Sequence, residues 1–169
     1  MAEDADANDA TPTPDPALKR LDRLVGTWRL EGRPIGADED TITGTTKFRW
    51  LHKAGDADTG FFLQQDMHMD YAGQRIESRE LIAYNPRTQA FSSRVYSNMA
   101  PDPWPYAWDI QGDEWTISIK HGAMDATFTG KFSADGKRFS GGWRPNPGAD
   151  ETINAPYDIS GTRLSREEA

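Results

Sequence analysis

The chain has 169 residues with a formal net charge of −8, 27 acidic against 19 basic, and that length fits one domain with a sizeable core. The acidic balance repels phosphate backbones and anionic membranes, so neither nucleic acid nor a membrane is an expected partner. There is no cysteine, which removes disulfides, thiolate nucleophiles and thiolate-held metals, and no basic leader or apolar run of about eighteen residues, so a cytoplasmic location is expected.

Residues 1–16, MAEDADANDATPTPDP, are acidic, rich in proline and nearly devoid of large apolar side chains. They cannot repay the entropy of ordering and are expected to form a disordered tail, with the folded domain at 17–169. Leu18, Leu21, Leu24 and Val25 then recur at helical spacing, and Gly26 is a natural stop. One short amphipathic helix is predicted, lying across an open end of whatever follows.

Beyond Gly26 the pattern turns to alternation punctuated by Gly, Asn, Asp and Pro. It predicts strands at Thr27 to Arg33, Thr41 to His52, Gly60 to Tyr71, Gln74 to Tyr84 and Ala90 to Asn98. Further strands follow at Tyr106 to Gln111, Glu114 to Lys120, Met124 to Ser133, Arg138 to Arg144 and Pro156 to Leu164. Short connections such as Tyr71-Ala72-Gly73 and Gln111-Gly112-Asp113 force neighbouring strands to be antiparallel, and closing the meander removes its two exposed edges. The expected fold is all-β, a single up-and-down barrel of about ten strands with one helix at its N-terminus. Ala100 to Pro105 and Pro145 to Ala155, dense in proline, read as rim loops.

Alternation also sorts each strand into an inner and an outer face. Large apolar residues fall inside throughout, among them Trp28, Phe48, Trp50, Leu63, Met67, Tyr84, Phe91, Trp108, Trp115, Phe128, Trp143 and Tyr157. Because barrel diameter grows with strand number, about ten strands leave room for a ligand, although this many aromatics can also fill the space as a solid core. The same parity turns His52, Gln65, Ser78, Glu80, Ser93, Ser97 and Arg163 inward. A buried polar group needs a partner, and a cavity with a few convergent polar groups is a binding site by default. The candidate ligand-binding set is therefore Trp50, His52, Gln65, Met67, Glu80, Tyr84, Ser93, Trp108, Trp115 and Tyr157. Glu80, buried without a cation, would have a raised pKa and could serve as a general acid or base. A register one residue off would instead turn Glu80 out and Arg79 in. His52, in phase with Trp50 and Phe48, is the second acid–base candidate, placed at the cavity mouth.

A short helix running into Gly26-Thr27-Trp28 at the head of a β-only chain resembles the opening of lipocalin-like (calycin) proteins. The span from Leu18 to Leu164 resembles the DUF1579-type family of lipocalin-like domains, and more distantly the nitrobindin and fatty-acid-binding barrels. The resemblance implies that Trp28 closes the barrel floor and stacks on a basic side chain of the last strand, where Arg163 stands. A guanidinium over an indole face gains roughly 0.5–2 kcal/mol. Nitrobindins carry a longer glycine-rich run after this Trp and a late haem-ligating His. Here Arg29-Leu30-Glu31-Gly32 follows and no His lies beyond His121, so no haem or other cofactor is expected.

Other chemistry is thin. Asp66, His68 and Asp70 alternate along one face as a metal site might, but that face is the polar one and reads as solvent-facing, so no metal is expected. No G-x-S-x-G elbow is present, and Gly141-Gly142, inside a strand pattern, reads as a bulge or barrel corner. The function these observations point to is binding of a small, largely apolar molecule, aromatic or acyl. The alternative is a cofactor-free isomerase, cyclase or hydratase using Glu80 or His52, with Tyr84 or Tyr157 as a hydrogen-bond donor; a haem protein comes third. A homodimer could form through Tyr96 or Trp104 on exposed strand faces.

Overall fold

A computed structural model describes residues 12–52 and 60–166. Most of the expected acidic tail, residues 1–11, lies outside the described residues, and 12–15 lead without regular structure into the helix. Asp15 caps that helix by accepting a 2.8 Å bond from the Ala17 N–H, and Pro16 stands where no donor is needed. The helix is 3₁₀ in type, Pro16–Arg23. Its buried leucines, Leu18 and Leu21, and the buried C-cap Leu24 fall three apart, which is the repeat of a 3₁₀ turn. Gly26 does not stop the helix, as the spacing suggested, but opens the first strand.

The strands are β1 (Gly26–Pro34), β2 (Ile42–Leu51), β3 (Phe62–Tyr71), β4 (Gln74–Asn85), β5 (Ala90–Ser97), β6 (Trp104–Gln111), β7 (Glu114–His121), β8 (Met124–Phe132), β9 (Arg138–Pro145) and β10 (Tyr157–Ser165). Each pairs antiparallel with the next, and β10 pairs with β1 to close a ten-stranded barrel. Odd strands therefore start at the end covered by the helix, and even strands start at the opposite, open end. Among the described residues no helix is long and apolar enough to cross a membrane.

Two local expectations are corrected. Trp104 and Pro105 belong to β6, paired with Val95 and Arg94, and not to a rim loop. Pro105 is tolerated because the β6–β7 ladder begins only at Ala107, so one edge of the strand is still unpaired there. Gly141 and Gly142 make no bulge: they run in unbroken register with β8 and β10. Their role is close approach, since a Cβ on Gly141 would stand 2.4 Å from the Thr129 carbonyl.

The irregularity falls instead between Thr27 and Trp28, which pair with Ser165 and Arg163 and leave Leu164 pushed outward. Gly26 makes this crossing possible. Its φ is +121°, and a Cβ there would lie 2.1 Å from the Ser165 carbonyl and 3.1 Å from Arg163 Nη1. Gly26→Ala is thus expected to cost about 2–3 kcal/mol by combining backbone strain with overpacking, read as a fall in the thermal midpoint.

Candidate functional site

The barrel interior divides into a packed half under the helix and a hollow half at the open end. In the packed half Trp28 is fully buried, and its Nε1 donates to the Leu24 carbonyl at 2.7 Å. The Arg163 guanidinium lies 4.1 Å over the indole. It donates to the carbonyls of Arg23 (2.7 Å), Gly136 (3.1 Å) and Val25. The structure thus brings Trp28 and Arg163 together with their polar atoms satisfied. Burial, and then the charges of Arg166 and Arg23, lower the Arg163 pKa to about 10, so it stays a cation at neutral pH.

The helix is tied down by its own polar residues. Asp22 accepts from Trp50 Nε1 at 2.8 Å, Arg20 donates to the Ile110 carbonyl at 3.2 Å, and Arg23 donates to the Gly112 carbonyl at 2.7 Å. Trp115 stacks between Trp108 and Phe132, each 5.6 Å away, and Tyr84 packs on Phe91 at 4.8 Å. Trp50, Tyr84 and Trp115 therefore do face inward, but into the packing of the closed half. His52 follows the last residue of β2 at the same end and is exposed. The expectation of His52 at the cavity mouth is corrected: β2 starts at the mouth and finishes at the helix.

A polar band crosses the middle of the barrel. Glu80 is 3% exposed, and its Oε1 accepts from the Ser93 hydroxyl and, at 3.0 Å, from Trp108 Nε1. Its Oε2 takes no hydrogen bond from any described residue. Burial raises the Glu80 pKa to about 7 against the lowering effect of those two donors, and no cation contributes. Gln65 pairs with Glu80 across β3 and β4 and donates to Thr46 Oγ1 at 2.9 Å.

Above this band lies a cavity of about 310 Å³, within the range of roughly 300–1,000 Å³ that small-molecule sites occupy. Five rings, Tyr71, Trp104, Tyr106, Trp143 and Tyr157, make much of its wall. The thioethers of Met67, Met69, Met99 and Met124 fill between them. No charged side chain is among the lining residues. Tyr106 links cavity to band: it pairs with Ser93, and its phenol is held neutral by burial and, next, by the charge of Glu80. The loop joining β9 to β10 folds over the mouth because Asn154, itself buried, donates to the Ala123 carbonyl at 3.0 Å and accepts from the Asp125 N–H at 2.8 Å.

Of the ten sequence candidates, Met67 and Tyr157 line the cavity, and Gln65, Glu80, Ser93 and Trp108 form the band beneath it. The reading missed Trp104, assigned to a loop and to a dimer face, and Met99, Ile153 and Ala155, which sit in loops where alternation gives no side. Tyr71 was recoverable, since it continues the phase of Met67 and Met69.

Elsewhere, the Asp66-His68-Asp70 row lies on the outer wall, where each acid is used locally. Asp66 pairs with Arg79 at 2.6 Å, and Asp70 accepts from the Gly73 N–H at 2.8 Å. His68 is exposed, as is His121, the last residue of β7, so neither histidine reaches the interior. A groove of about 550 Å³ on the outer wall is shallow, and the ion pairs Arg33–Asp40 and Arg144–Asp158 run along it.

The class that this geometry defines is a closed antiparallel ten-stranded barrel, solid at one end and hollow at the other. Residues 13–137 match DUF1579, a family described as protein of unknown function, and the chain belongs to that family. The match ends before β9 and β10. Among solved structures, the crystal structure of Rv2717c from M. tuberculosis is similar, with a TM-score of 0.55 and 13% identity over 90% of this chain and 100% of that one. At that identity the likeness concerns the fold alone. No curated protein matches the chain.

Proposed function

We propose that the protein binds one small, largely apolar molecule, ring-containing or acyl, in the hollow half of the barrel. The observation that carries this reading is the uncharged cavity of about 310 Å³, walled by aromatic rings and thioethers. Flat rings give apolar area at little entropic cost, and methionine adapts to a ligand's outline. Kinship with lipocalin-like (calycin) carriers, and further off with nitrobindin and fatty-acid-binding barrels, belongs to the same reading, as does a cytoplasmic site of action. The hollow mouth supports the kinship.

Titration with the neutral dye N-phenyl-1-naphthylamine tests it. Ala126 lines the cavity, so Ala126→Trp fills the space from within. The dye's blue-shifted emission is expected to saturate with the wild type and to need at least tenfold more protein in the variant. Equal affinities would move the site elsewhere.

A second reading, a cofactor-free isomerase, cyclase or hydratase, is favoured by one observation: buried Glu80, its pKa pushed up to about 7 by desolvation, has an Oε2 that takes no hydrogen bond from the described residues. Tyr106 or Tyr157 would hold the substrate's oxygen, while His52, at the far end, has no access. Mass spectrometry of recovered ligand distinguishes the two, since a carrier returns it unchanged and an enzyme returns product that Glu80→Gln no longer makes.

A further inference from the structure

The charge of the ligand can be read from what surrounds the cavity, granted that the cavity binds one. No Lys, Arg or His lines it, and Arg163, a half-buried cation, is engaged at the helix end. A carboxylate ligand would therefore be stripped of water with no counter-charge to receive it. The opposite charge would meet a prepared site. Glu80 has Oε1 fixed by Ser93 and Trp108 while Oε2 is left without a donor. The cavity next to it is lined by aromatic rings, whose faces attract cations.

The groups facing Glu80 are Gln65 from β3, Ser93 and Val95 from β5, and Tyr106 and Trp108 from β6. The titratable ones nearby are Tyr106 and, further up, Tyr157, and both phenols are kept neutral by burial. Glu80 does not itself line the cavity, but Met67, which does, is half-buried on β3 two residues along from Gln65, the cross-strand partner of Glu80. As an unbranched thioether it can swing aside without breaking a hydrogen bond.

The geometry points to a lipophilic amine as the ligand, its apolar body against Tyr106, Trp143 and Tyr157 and its protonated nitrogen donating to Glu80 Oε2. Proton balance follows from this. With the Glu80 pKa pushed up to about 7 by burial, part of the empty sites carry a proton on Glu80 at pH 7, and pairing with an ammonium expels it, so binding releases protons. An anionic ligand would instead draw a proton in, and a neutral one would leave the balance nearly unchanged.

Isothermal titration with three probes on one ring tests the inference: 2-naphthylmethylamine, 2-naphthalenemethanol and 2-naphthoate, at pH 7 in buffers of differing ionisation enthalpy. The amine is expected to bind at least tenfold tighter than the alcohol, with proton release, and naphthoate weakest. Glu80→Gln, checked for fold by circular dichroism, should weaken the amine at least tenfold and abolish the release. The release is measured on the unaltered protein, so the test survives a variant that does not fold. If the alcohol or naphthoate binds as well as the amine, or the amine binds without releasing protons, the amine assignment is overturned while the cavity reading stands. If none of the three binds, both are overturned.

Discussion

Glu80→Gln is expected to make the protein more stable than the wild type at pH 8 and to flatten its stability between about pH 4.5 and 7. The carboxyl is fully buried, with a folded-state pKa of about 7 against 4.5 when solvated. Below pH 4.5 both folded and unfolded chains carry the proton, and Glu80 imposes no penalty. Between the two values the unfolded chain ionises while the folded chain keeps its proton, so stability falls as pH rises. Above about 7 the loss is complete, roughly 3 kcal/mol for a shift of this size. Glutamine retains an oxygen for Ser93 and Trp108 to donate to, and it never ionises. Urea unfolding of both proteins at pH 4, 6 and 8 reads the difference directly; parallel stability profiles would show that Glu80 is not held neutral by burial.

The second large effect lies at the closed end. Trp28→Ala removes a fully buried indole that packs on Phe139 at 5.2 Å and on Phe132 at 6.2 Å. The expected loss is about 3–5 kcal/mol from the cavity alone. Arg163 would also lose the ring face beneath its guanidinium. Arg163→Met keeps much of the volume but strands the carbonyls of Arg23, Val25 and Gly136, with an expected loss of about 2–4 kcal/mol. The two effects should not add, because each substitution removes the same ring-to-cation contact. Guanidinium unfolding of the two single variants and the double variant measures that coupling, and strict additivity would show that the stacking contributes nothing.

The sequence carried one coordinate of each side chain well and another hardly at all. Alternation along β7 shows Trp115, Ile117 and Ile119 on one face, and the structure buries all three. Glu80 faces inward for the same reason, being in phase with Ile76 and Ile82. Height along the barrel axis is a different matter. It depends on where each strand starts relative to its neighbours, which is set by pairing register and by the closure between β1 and β10. Trp50 and Met67 both read as inward, yet one props the helix and the other lines the cavity. The 3₁₀ winding was legible in the three-residue spacing of Leu18, Leu21 and Leu24, but a wider helical period, drawn to include Val25, obscured it. Loop residues such as Ile153 and Asn154 have no alternation to read, and what places them is the Asn154 amide reaching the turn between β7 and β8.

Joining the first strand to the last has a consequence for how the chain is made. Arg163 bonds to the carbonyl of Val25, 138 residues away in sequence. The strand that completes the ring, β10, leaves the ribosome after the other nine, so until then the nascent sheet has two free edges and an uncovered aromatic interior. Contacts this distant along the chain also slow folding. A protein of this design depends, during synthesis, on anything that keeps β1 unpaired with other chains until β10 arrives.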